Sequence, residues 1–68
     1  DFTKYIIKKT SNITESELRV CNLIKMNFST SDIAEILSIS VRGVEQHRYR
    51  IRKKLNVTTD LSIFIQSL

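Results

Sequence analysis

A chain of 68 residues with 41% apolar content, one glycine and no proline holds at most one small domain. It has too few turn residues for a β-rich fold and too much apolar content for a disordered tail. A single cysteine excludes an internal disulfide, and no apolar run approaches a membrane span. The segment is therefore expected to touch no membrane and to suit a reducing, cytoplasmic setting. The net charge of +4 is unevenly placed: residues 41–54 hold Arg42, Arg48, Arg50, Arg52, Lys53 and Lys54 against Glu45 alone, the footprint expected of a surface that meets a polyanion. Neither an initiator Met nor a secretory pattern is present, so Asp1 is expected to be a cut point in a longer protein.

Phe2, Tyr5 and Ile6 follow helical spacing and predict a short amphipathic helix over residues 2–9, ended by the polar run Thr10-Ser11-Asn12. Thr14 opens a second helix with a capping box, because Glu17 stands three residues on. Its apolar stripe reads Val20, Cys21, Ile24 and Phe28, and Asn27 can end it by adopting the left-handed conformation. Ser29 caps a third, short helix, with Asp32 at its positive end and Ile33, Ile36 and Leu37 as its buried face. Ser38-Ile39-Ser40 leaves room only for a tight turn. Ser40 caps the next helix, which carries Val41, Val44, Ile51 and Leu55. Asn56-Val57-Thr58-Thr59 breaks the pattern, and a last helix from Thr59 or Asp60 presents Leu61, Phe64, Ile65 and Leu68.

Catalysis and metal binding find no support. His47 and Cys21 are the only residues of their types, and no zinc, phosphate-loop or dinucleotide pattern occurs. Neither an enzyme nor a cofactor is expected, and Cys21 reads as a small core residue. The strongest constellation is two helices joined by a three-residue turn, the second one basic, a shape suited to the major groove of duplex DNA. With Val44 taken as the inward direction, Ile51, Leu55, Arg48 and His47 fall within roughly 60° of it. Arg42, Gln46, Tyr49 and Lys53 fall within about 40° of the opposite pole, with Glu45 and Arg50 beside them. One face packs and the other is polar, basic and carries an aromatic.

Several residues in this frame occur together in one family. Ile13-Thr14, Ser16-Glu17, Val20-Cys21, Asn27-Phe28-Ser29, Ile33-Ala34, Leu37-Ser38-Ile39-Ser40, Gly43-Val44-Glu45-Gln46-His47 and Lys54-Leu55 stand in the order and spacing of the LuxR-type, or GerE-type, helix-turn-helix. Residues 13–57 resemble that domain without a gap. The resemblance implies an all-α, four-helix bundle over residues 13–68, to which residues 1–12 add a short helical extension or linker end. It implies sequence-specific binding of duplex DNA for transcriptional regulation, with the helix at 41–54 in the major groove. It also implies base contacts from Glu45, Gln46 and Tyr49, and a dimer contact through the last helix. Departures from the family pattern include Glu45 in place of a cation, Gly43 in place of Thr and Asn27 in place of Gly. The basic run Arg48–Leu55 is similar to that of members attached to large sensor or tetratricopeptide-repeat regulators, while the domain as a whole is the output unit of many response regulators.

These readings give specific expectations. Arg42 joins Glu45, Gln46 and Tyr49 at the base edges. Arg42 also belongs with Arg50, Lys53, Lys54, Thr30 and Ser31 in a clamp on the phosphates, since helix N-termini offer free N–H groups. His47 is expected to pack or to bond the backbone. Glu17, in the middle of its apolar stripe, needs a partner; Arg48 is the expected one, with the Thr14 capping box as the alternative. Ile63 points away from the domain and is the expected homodimer contact on DNA, with RNA polymerase a candidate further partner. Two other readings stay open: a promoter-reading domain similar to that of sigma factors, and a helical protein-interaction module.

Overall fold

The computed structural model describes residues 1–68 as five helices and no strands: α1 Phe2–Lys9, α2 Glu15–Lys25, α3 Thr30–Leu37, α4 Val41–Leu55 and α5 Leu61–Gln66. Each helix opens on a side chain that accepts from the amide three residues on. Asp1, Thr14, Ser29, Ser40 and Asp60 fill this role for Lys4, Glu17, Asp32, Gly43 and Ile63. A cap of this kind stabilises a helix by about 1 kcal/mol. In α2 and α3 the arrangement is reciprocal, because Glu17 and Asp32 accept in turn from the amides of Thr14 and Ser29.

Three helices end in the same way. Asn27, Ser38 and Asn56 take positive φ of 71°, 57° and 58°. The chain then folds back so that the amides of Phe28, Ile39 and Val57 reach the carbonyls of Leu23, Ala34 and Arg52 at 2.9–3.1 Å. This is the Schellman closure that usually employs glycine. The one glycine, Gly43, lies inside α4 without positive φ.

The core is a single cluster: Ile6 from α1; Val20, Cys21 and Ile24 from α2; Ile33 and Ala34 from α3; Val44, Ile51 and Leu55 from α4; Leu61 and Ile65 from α5. α2 lies at the centre, against α1, α4 and α5, while α3 packs on α4. Ile6 brings α1 into this core, and the Thr3 hydroxyl adds a 3.3 Å contact to Asn22.

The apolar stripes need five corrections. Phe28 is exposed because the left-handed turn at Asn27 lifts it off the end of α2. Ile36 is exposed because α3 buries Ile33 and Ala34, and that face lies about 110° away. Val41 is exposed on the first turn of α4, and Leu68 is exposed beyond the end of α5. Tyr5 is likewise largely outside, leaving Ile6 to anchor α1.

Candidate nucleic-acid interface

α4 is held on three sides and open on the fourth. Val44, Ile51 and Leu55 face the core. Arg42, Glu45, Gln46, Tyr49, Arg50, Arg52 and Lys53 are all exposed. Arg42, Glu45, Gln46, Tyr49 and Arg50 border one shallow depression of about 500 Å³, so the residues expected at the base edges stand side by side. Tyr49 is 58% exposed, and the Lys53 ammonium lies 5.2 Å from its ring centroid. That cation–π contact sets the Lys53 ammonium over the Tyr49 ring on the open face and is worth about 0.5–1 kcal/mol at an exposed site.

The flanks of α4 carry different neighbours. On one, Arg48 donates to the Ser62 hydroxyl of α5 at 2.9 Å. Beside it a groove of about 670 Å³ runs between Glu45, Arg48, Tyr49 and Arg52 of α4 and residues Thr58–Leu61. On the other flank Lys54 donates to Glu17 Oε1 at 2.7 Å and to the Asn12 carbonyl at 2.9 Å.

The expected Glu17–Arg48 pair is therefore replaced by Glu17–Lys54. Arg48 turns towards α5, while Lys54 turns towards α2. The Thr14 capping box forms as well, because Glu17 Oε1 also accepts from the Thr14 amide at 2.9 Å. Glu17 is 2% exposed. Burial alone would push its carboxyl up, but the Lys54 ammonium and the Thr14 donors outweigh that and hold it below its ordinary value. The thiol of Cys21 is pushed up to about 12 by burial and by the nearby Glu17 charge, which leaves it inert.

Lys54 is half-buried and engaged, unlike its neighbour Lys53. At the start of α3, Ser31 is exposed and Thr30 half-buried. The capping box there uses the amides of Ser29 and Asp32, which leaves those of Thr30 and Ser31 without an intramolecular partner. His47 packs half-buried, the first of the two roles expected for it, and its buried Nδ1 makes no hydrogen bond. Ile63 is 68% exposed on α5.

Arg52, with Thr58 and Thr59 across the groove from it, extends the polar surface beyond the residues singled out from the sequence. The basic run marked Arg52, but nothing in the spacing placed the α4–α5 connection beside it. No helix is long and apolar enough to cross a membrane, and no group of His, Cys, Asp and Glu is arranged to hold a metal ion.

A family profile described as "Bacterial regulatory proteins, luxR family" (GerE) matches residues 11–65. No curated protein and no solved structure gave a match. The profile spans the capping box of α2, the α3–turn–α4 unit and nearly all of α5. The chain belongs to the luxR family of bacterial regulatory proteins, whose GerE domain is a DNA-binding helix-turn-helix of transcription regulators.

Proposed function

We propose that the domain binds duplex DNA sequence-specifically, with the outward face of α4 in the major groove, and so directs transcription. The observation that carries this reading is the open depression formed by Arg42, Glu45, Gln46, Tyr49 and Arg50, directly opposite the buried Val44 and Ile51. Gln46 can pair bidentately with adenine, Glu45 can accept from a cytosine amino group, and an arginine can take the acceptor edge of guanine. Tyr49, steadied by Lys53, supplies an aromatic surface at the same level. Arg50, Arg52 and Lys53 then serve phosphates together with the Thr30 and Ser31 amides of α3, where Asp32 moderates the attraction. Lys54 leaves that set, since its ammonium is spent on Glu17 and Asn12.

In this reading residues 13–68 are the DNA-binding unit and residues 1–12 a docked helical extension. Two copies meet through Ile63 of α5 on paired half-sites. The setting is the cytoplasm, with RNA polymerase as a further contact and a sensor or receiver region as the source of the signal.

The test is a salt titration of binding to a fluorescent random-sequence duplex. Log K should fall linearly with log salt, at a slope of roughly −3 per domain for about three phosphates neutralised by Arg50, Arg52 and Lys53. A helical protein-interaction module would show no such slope.

A further inference from the structure

The first two turns of α2 form a wall beside α4. Ser16 and Arg19 stand with His47, Leu37 and Ile39 around a recess of about 110 Å³. Further along α4, Lys54 reaches Glu17 and the Asn12 carbonyl. His47, Lys54 and Arg50 all lie on one flank of α4, roughly 60°, 80° and 120° from the Val44 direction in the same sense. The major groove is about 12 Å wide, and a helix with its side chains fills it. The two phosphate strands that border the groove are thereby pressed against whatever stands on the two flanks. On this flank that neighbour is α2.

Arg19 is the one cation that α2 offers there. The other, Lys25, lies at the far end of the helix, bound to the Leu68 carbonyl at 2.7 Å and over the Phe2 ring. The only ion pair of Arg19 is a long one to Glu15, at 3.8 Å with both side chains well exposed. Such a pair contributes little and is readily exchanged. The guanidinium is thus free to turn, Arg19 borders the recess that His47 of α4 also lines, and the Ser16 side chain is exposed beside it.

We propose that Arg19, with the Ser16 hydroxyl, seats a backbone phosphate of the strand running along the α2 side of the groove, next to the phosphate held by Arg50. The seat rests on the DNA-binding reading above. A guanidinium fork suits a phosphate because it can donate two parallel hydrogen bonds. The contact would fix the angle of the domain on the duplex and carry no base information. It would also displace Glu15, so binding exchanges a weak internal pair for an external one.

The test uses the full chain and duplexes in which single phosphates are replaced, one at a time, by neutral methylphosphonate. Arg19→Ala should lower affinity for all sequences by the same factor and reduce the salt slope by about one, with unchanged thermal stability, and Arg19→Lys should restore most of the slope. One substituted position on the α2-side strand should weaken the wild-type protein and leave Arg19→Ala unaffected. An unchanged slope in Arg19→Ala, or a reduced slope with no single phosphate losing its effect, overturns the seat while leaving DNA binding intact. A wild-type chain with no salt-dependent duplex binding overturns both.

Discussion

Lys54 Nζ lies 2.7 Å from Glu17 Oε1, and the same carboxylate oxygen accepts from the Thr14 amide at 2.9 Å. One buried oxygen therefore closes the first turn of α2 and fastens the last turn of α4 to it. A carboxylate in this position is tolerable only because both donors reach it. Glu17→Gln keeps the shape and loses the charge, so it should cost about 1.5–3 kcal/mol at neutral pH. Because the folded-state pKa of Glu17 lies below its ordinary value of 4.5, this contribution is present above that value and is lost as pH falls through the folded pKa. The gap between wild type and Glu17→Gln should be constant at neutral pH and close progressively below about pH 4.5. Urea denaturation across pH measures it; a gap that persists in strong acid would show that the charge is not its source.

The adjacent lysines should behave differently. Lys54→Ala leaves the Glu17 carboxylate buried without its cation, a change that typically costs about 3–5 kcal/mol. For a domain this small that corresponds to a fall in Tm of roughly 12–40 °C. Lys53→Ala should leave Tm nearly unchanged and reduce the salt slope of DNA binding by about one. The two quantities, measured on both variants, separate the structural lysine from the phosphate lysine. A salt slope changed by Lys54→Ala and not by Lys53→Ala would reverse the assignment.

The same pair shows how far the sequence is legible. The caps Thr14, Ser29 and Ser40 could be read because a Ser or Thr cap is a local signal, and so could the left-handed Asn27, while Asp1 could not be read as a cap and the last start lay open between Thr59 and Asp60. The open face of α4 followed from its angular pattern. Placing Arg48 and Lys54 required knowing which neighbour lies on which flank, and angle about one helix axis does not contain that. Arg48 meets Ser62 and Lys54 meets Glu17, so the expected partner of Glu17 went to the wrong flank. Ile36 and Phe28 failed for a related reason: apolar spacing marks a stripe, but the packing neighbour and the turn at the helix end decide which part of it is covered.

Glycine is absent from the positions that favour it and present where it costs. Ser38 holds φ of 57°, a conformation that costs an L-residue about 1–2 kcal/mol. Ser38→Gly should therefore stabilise by about 0.5–1 kcal/mol after the added chain entropy is offset. Gly43→Ala should gain a similar amount through helix propensity, about 0.5–1 kcal/mol. Its new Cβ would lie 3.3 Å from Ser40 Oγ, a small strain, and Glu17 and Asp32 already carry side chains at the equivalent position of α2 and α3. Thermal melts check both; a drop in Tm for Gly43→Ala would mean that the Ser40 cap cannot yield.

Ile63 is the most exposed aliphatic residue of α5 and makes no part of the core. Ile63→Glu should leave Tm and single half-site affinity nearly intact. On a duplex with two half-sites about one helical turn apart it should abolish cooperative binding. Free in solution the wild-type domain should associate only weakly, because one short helix buries far less than a standard interface. Cooperativity that survives the substitution would place the contact elsewhere.

Reading of base edges by α4 is tested most directly by selecting binding sites from a random duplex library with the wild-type chain and with Gln46→Ala. Gln46 is exposed beside Arg42, Glu45 and Tyr49 and has no structural partner to lose. The wild type should return a defined motif, and the variant should return that motif relaxed at one or two positions, at a cost of roughly 1–3 kcal/mol in discrimination there and with the salt slope unchanged. An identical motif from both proteins would show that Gln46 reads no base, and a wild type that returns no defined motif would contradict the placement of this face of α4 in the major groove.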